Sequence, residues 1–228
     1  MVEAFRVGGG DVLTDEEARV LGSLLEKEAA TPEHYPLTVN ALRSACNQTS
    51  SRNPIVSYDE SQVSAALAAL RGKGLVRIVY SPSNRAPKYR HIVDEALGLG
   101  GEGRAVICLL LLRGPQTVGE LRTRSERLVA LESLEGVEAV LEDLAGRPEP
   151  LAVRLARGAG QKESRYAQVL TGPPDPDWVP APTRADPGPG AGLGARVAAL
   201  EAELSVLRSE VESLRSTFED LELGRPTT

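Results

Sequence analysis

Apolar positions along residues 14–170 follow one pattern that is written twice. Val20, Leu24 and Leu25 reappear as Ile107, Leu111 and Leu112. Thr38, Val39 and Leu42 reappear as Thr117, Val118 and Leu121, and Val63, Leu67 and Leu70 as Val137, Leu141 and Leu144. The i, i+4, i+7 spacing of Val63, Leu67 and Leu70, repeated in Val137, Leu141 and Leu144, predicts an amphipathic helix. Two short β-branched and aromatic runs close each copy. They are Leu75–Tyr80 with Ala86–Val93, and Leu151–Ala156 with Arg165–Leu170. Each pair flanks a turn-forming stretch, which predicts a β-hairpin. Three helices followed by a hairpin is the winged helix-turn-helix order. The expected fold class is therefore mainly α with small β-hairpins (α+β), in two tandem winged-helix domains.

Local signals place the boundaries. Thr14 with Glu17, Ser57 with Glu60 and Thr117 with Glu120 have the spacing of a capping box, in which hydroxyl and carboxylate satisfy free amides reciprocally. The first helix is expected to end near Glu28, because Pro32 and Pro36 forbid its continuation. Gly72 and Gly74 supply the stop of the third. The first copy carries two insertions, around residues 30–36 and 47–56, that the bare pattern does not require. Residues 1–13 read as a flexible N-terminal arm, 14–93 as the first domain, 94–103 as a Gly-rich linker and 104–171 as the second domain. Seven of the chain's 16 prolines fall in residues 172–192, which read as a semi-extended Pro/Gly linker.

Beyond that linker the period changes. Leu193, Val197, Leu200, Leu204, Leu207, Val211, Leu214, Phe218 and Leu221 alternate steps of four and three, a heptad seam with Leu at every d position. Arg196 with Glu201, Glu203 with Arg208 and Glu210 with Arg215 occupy g and following e positions, as a parallel coiled coil requires. Residues 193–223 are thus expected to form a coiled-coil helix that joins two copies as a homodimer.

Charge divides the copies. Of the 228 residues, 26 are Lys or Arg and 32 Asp or Glu, which argues against non-specific coating of nucleic acid. The acidity sits in the tail, and residues 61–93 contain no acidic residue. That stretch holds Arg71, Lys73, Arg77, Arg85, Lys88 and Arg90, the candidate nucleic-acid contacts, since each phosphate neutralised releases counterions. The third helix of the second copy instead carries Glu135, Glu138, Glu142 and Asp143, which phosphates repel. Two cysteines, Cys46 and Cys108, are too few for a disulfide framework, and Cys108 lies in an apolar run that predicts burial. The N-terminus lacks a signal-peptide core and the longest apolar run falls short of a membrane span, so a cytoplasmic protein without membrane contact is expected. His34, Cys46 and His91 do not fall into a triad or a metal-ligand spacing, and the glycines around residues 158–160 lack the phosphate-loop pattern. No enzyme activity, cofactor or metal is expected.

Several separated motifs resemble the bacterial YceH family. They are Leu24-Leu25-Glu26-Lys27, Tyr35-Pro36-Leu37, Ala45-Cys46-Asn47-Gln48, Leu111 through Thr117, Gly119 through Arg122, and Gly160 through Tyr166. The resemblance spans about residues 12–171 and implies a tandem winged-helix fold without an assigned activity or catalytic residues. It marks the loop holding Cys46, Asn47, Gln48 and Arg52 as a family motif of unknown role. Thr49 stands where the family pattern carries a lysine, which removes a charge beside that loop. The combined expectation is a zipper-linked dimer acting as a DNA-binding or transcription-regulatory factor. The alternative is a protein-interaction scaffold that uses its winged helices without nucleic acid, with a protein partner on the second domain.

Overall fold

The computed structural model describes residues 12–80, 86–157 and 163–174. The first copy runs α1 (Asp15–Ala30), α2 (Val39–Cys46), α3 (Glu60–Gly72), β1 (Val76–Val79) and β2 (Lys88–His91). A short helix α4 (Val93–Leu97) follows. The second copy runs α5 (Gly101–Arg113), α6 (Val118–Ser125), α7 (Leu134–Gly146), β3 (Ala152–Arg154) and β4 (Tyr166–Gln168). Each hairpin is a two-stranded antiparallel sheet. The duplication extends to single hydrogen bonds. Leu37 exchanges both backbone bonds with Tyr89 ahead of α2, and Gln116 does the same with Tyr166 ahead of α6. Leu75 donates to Leu70 and Leu151 to Leu144; Ile92 donates to Leu75 and Val169 to Leu151. The coiled-coil seam, Leu193 to Leu221, lies outside the described residues, as do Arg85 and residues 1–11.

The helix starts follow their sequence signals with one correction. Thr14 and Glu17 close the capping box of α1, and Thr117 and Glu120 that of α6. Thr38 caps α2 through the Ala41 amide. The box of α3 is formed by Asp59 and Gln62, not by Ser57 and Glu60. Asn47 holds residue 58 outside the helix, donating from Nδ2 to the Tyr58 carbonyl and accepting the Tyr58 amide at Oδ1, both at 2.8 Å. The helix can therefore begin only after Asp59. At its far end Gly74 turns the chain into β1 with φ +70°, a left-handed conformation that other residues rarely adopt. α1 runs past Glu28 to Ala30, and a 3₁₀ turn at Pro32–His34 replaces its continuation.

Both copies draw on one core. α5 is buried from Ala105 to Leu112 without a break, so it is apolar all round and must be covered on every side. α1 covers one side of it, buried from Glu17 to Leu25. The two helices approach closely at Gly22, where an added Cβ would lie 2.9 Å from Leu112 Cγ and 3.2 Å from Leu111 Cβ. There Cys108 Sγ donates to the Gly22 carbonyl at 3.4 Å, and the buried Cys108 fits the expectation from its apolar run. The stretch read as a linker, residues 94–103, contains most of α4 and the first turn of α5. Leu13, assigned to the arm, is buried and donates its amide to the Leu170 carbonyl at 2.7 Å. The insertion at residues 47–56 is not dispensable surface either, because Asn53 donates to the Leu112 carbonyl at 2.9 Å. No helix among the described residues is long and apolar enough to cross a membrane.

Gly22→Ala should therefore destabilise the protein by about 1–3 kcal/mol through overpacking against Leu112. Urea unfolding should show a lower midpoint with an unchanged slope. An unaltered midpoint means that α1 and α5 can separate at no cost.

Candidate functional site

The basic residues of the first copy converge on the junction of α3 and its hairpin, but not as one cluster. A shallow groove of about 570 Å³ lies there, lined by Ala68, Arg71 and Gly72 from the end of α3, by Val76, Arg77 and Ile78 of β1, and by Tyr80 just beyond that strand. Tyr80 is 80% exposed at its mouth. The side chains of Arg71, which is exposed, and of Lys88 make no hydrogen bond or ion pair with any described residue. Arg77 and Arg90 are register partners across the two strands. Glu95 of α4 faces both, with Oε2 3.1 Å from Arg77 Nη2 and Oε1 3.7 Å from Arg90 Nη2. Lys73 is committed to the fold instead. Its Nζ lies 2.5 Å from the buried carboxylate of Glu17 and donates to the Val12 carbonyl at 2.9 Å. The exposed face of α3 beside the groove is Ser61, Gln62, Ser64, Ala65 and Ala68, short and uncharged apart from Glu60 at its start.

The same position in the second copy has the opposite character. Glu135, Glu138, Glu142 and Asp143 are exposed along α7, with Leu134 46% exposed at its start. Its arginines are largely spent on the fold. Arg165 Nη1 lies 2.6 Å from Glu120 and donates to the Pro115 carbonyl. Arg124 donates to Oε1 of the buried Gln116 at 2.7 Å, and Gln116 Nε2 donates to the Leu109 carbonyl. Arg147 closes the end of α7 on Asp143 and reaches the Leu97 carbonyl at 2.7 Å.

The loop after α2 has a structural account. The side chain of Arg52 is fully buried. Its guanidinium reaches both oxygens of Glu26, at 3.0 and 2.5 Å, and donates to the Ala45 carbonyl from Nε and Nη2 and to Gln48 Oε1 at 2.8 Å. Arg19 of α1 donates to the Cys46 and Pro54 carbonyls. Two cations thus satisfy the last carbonyls of α2, where the helix dipole is negative. Burial first, then the neighbouring Arg52 cation, push Arg19 below its ordinary pKa. Burial raises the Cys46 thiol, the opposite of a reactive cysteine. Cys46, Asn47, Gln48 and Arg52 come together as a brace of the fold, with Cys46 and Arg52 buried and Asn47 and Gln48 half-buried.

One polar node joins the copies. His91, at the end of β2, is buried, with Nε2 2.7 Å from Glu28 Oε2. Arg104 of α5 lies 3.7 Å from the same oxygen and 3.9 Å from Asp94. Burial holds His91 below the ordinary imidazole value, against the opposing pull of Glu28. Its Nδ1 has no hydrogen-bond partner, which suits a neutral ring that donates from Nε2. A recess of about 350 Å³ adjoins the node, walled by Leu25, Ala29, Cys108 and Val129. The sequence reading missed Glu95, Tyr80 and the Glu28–His91 pair. Glu95 stands 18 positions from Arg77, outside any local pattern, and only the hairpin's return brings them together.

A family model described as "Protein of unknown function, DUF480" matches residues 13–161. A UPF0502 protein of Pelobacter propionicus is 56% identical over 161 residues, 71% of this chain and 73% of its own. A UPF0502 protein of Geobacter sulfurreducens is 50% identical over 195 residues, 83% of this chain and 87% of its own. Another, from Koribacter versatilis, is 47% identical over 192 residues, covering 84% and 88%.

If the post-α2 loop is a brace, Arg52→Met should cost about 3–5 kcal/mol, since it leaves Glu26 and the α2 carbonyls without their buried partner. Arg52→Lys should recover only part of that, because an ammonium cannot span Glu26, Ala45 and Gln48 together. Chemical denaturation checks both; a variant within error of wild type removes the bracing role.

Proposed function

The chain belongs to the DUF480 family, whose function is unknown, and we propose that it is a DNA-binding regulatory factor built from two winged helices. The observation that carries this reading is the groove between α3 and β1. It combines Arg71, Arg77 and exposed Tyr80 with an α3 face of short, mostly uncharged side chains. A helix with such a face can approach a duplex closely, and the cations beside it contact phosphates. Short side chains read few base edges, so affinity in this reading rests on the backbone and on DNA shape. Lys88 on β2 adds a second cation whose side chain has no partner among the described residues. The second copy presents acid at the equivalent helix and serves to orient the first or to hold a partner. The resemblance to the YceH family agrees with the tandem winged-helix reading and supplies no activity. No catalytic role is part of this reading.

The heptad seam from Leu193 to Leu221 supports a homodimer, with a helix of roughly 43 Å if it is continuous. A second reading, a protein-interaction scaffold, is favoured by the exposed acidic face of α7 with Leu134 at its start.

Anisotropy titrations with duplex DNA should show tight binding at low salt and a log–log salt slope of about −3 to −4, from three or four phosphates at roughly 0.9 each. Arg71→Gln with Lys88→Gln should lower that slope by about 2. Absence of binding at low salt, or affinity indifferent to salt, removes the DNA reading. A stoichiometric protein partner lost on Glu138→Gln with Glu142→Gln would then favour the scaffold. Separately, deletion of residues 193–228 should convert a dimer to a monomer in light scattering; a truncated protein that stays dimeric removes the zipper.

A further inference from the structure

Arg77 and Arg90 stand directly opposite one another in a two-stranded sheet. Like charges at such positions repel and destabilise the pair. One carboxylate offsets that repulsion, because each oxygen of Glu95 faces one of the two guanidinium groups. All three side chains are well exposed, at 57%, 39% and 51%, so the arrangement is hydrated and exchangeable. Two forked donors converging on one anion are also the arrangement that binds a phosphodiester. Arg77 lines the same groove as Arg71, so a phosphate there would be continuous with the proposed interface. Asp94, the neighbouring acid on α4, lies 3.9 Å from Arg104 and also acts on His91 at the end of β2.

Resting on the DNA reading above, we infer that Arg77 and Arg90 form a phosphodiester-binding clamp and that Glu95 is its resident competitor. Glu95 holds the two arginines apart from solvent anions in the free protein. A DNA phosphate displaces it on binding, so Glu95 lowers the affinity of the interface and sets a threshold for its occupation. Ionic contacts are exchanged and no covalent step is involved.

The test uses the full chain and a fluorescent duplex of about three helical turns, titrated by anisotropy over a range of salt. Glu95→Gln should tighten binding roughly threefold or more at low salt and steepen the log–log slope by up to about one. The gain should vanish when Arg77→Gln and Arg90→Gln are added. Glu138→Gln on α7, which makes the same change in net charge, should give no comparable gain. Glu95→Asp, which keeps the charge on a shorter arm, should fall between wild type and Glu95→Gln. Thermal unfolding of each variant confirms that the compared proteins are folded. Wild-type affinity in Glu95→Gln overturns the clamp, and so does an equal gain in Glu138→Gln. If either occurs while Arg71→Gln with Lys88→Gln still weakens binding, the DNA reading survives alone. No binding by wild type or any variant at low salt overturns both.

Discussion

The close approach of α1 to α5 at Gly22 is the constraint on which the rest of the structure depends. α5 is buried along its whole central length, so neither copy can leave it to the other and remain folded. The absence of a side chain at position 22 lets Leu112 and Leu111 rest on the α1 backbone. Two modules that would otherwise be beads on a string then share one hydrophobic interior. The insertion of the first copy at residues 47–56 follows from this. It spans from the end of α2 to the end of α5, where Asn53 meets Leu112, and it is held by Arg52 and Arg19.

The same packing decides which charges are available. Buried polar groups are costly unless satisfied, and several arginines are committed to that task. Arg19 and Arg52 close α2, Arg165 and Arg124 meet at Glu120 and Gln116, and Arg147 closes α7. Among the described residues of α3 and its hairpin, Arg71 and Lys88 have no side-chain partner and Arg77 and Arg90 share one exposed carboxylate. A basic count by sequence therefore overstates the face, and Lys73, bound to Glu17, shows why. The acidic exposed side of α7 gives the two copies unequal surfaces over one scaffold.

Much of the architecture was legible in the sequence because it is local. Threonine caps, apolar spacing and turn residues each act over a few positions, so Thr14 and Thr117 marked their helices correctly. The cap of α3 was misread because Ser57-x-x-Glu60 and Asp59-x-x-Gln62 overlap, and a contact from Asn47, 11 residues away, selects the second. The candidate site was legible in charge but not in pairing. Glu95 opposite Arg77 and Arg90, and Glu28 beside His91, arise from the return of the hairpin and the crossing of α1, which no short window contains. The family motif around Cys46 was visible as a pattern, while its role needed the positions of Arg19 and Glu26 in space.

Hydrogen–deuterium exchange of the full chain, with and without duplex DNA at low salt, tests the central claim that the first copy alone presents the binding face. The account predicts slowed exchange on DNA addition over residues 65–79 and 88–91, with residues 134–146 unchanged. Protection centred on residues 134–146, or no protection by DNA anywhere, would contradict it.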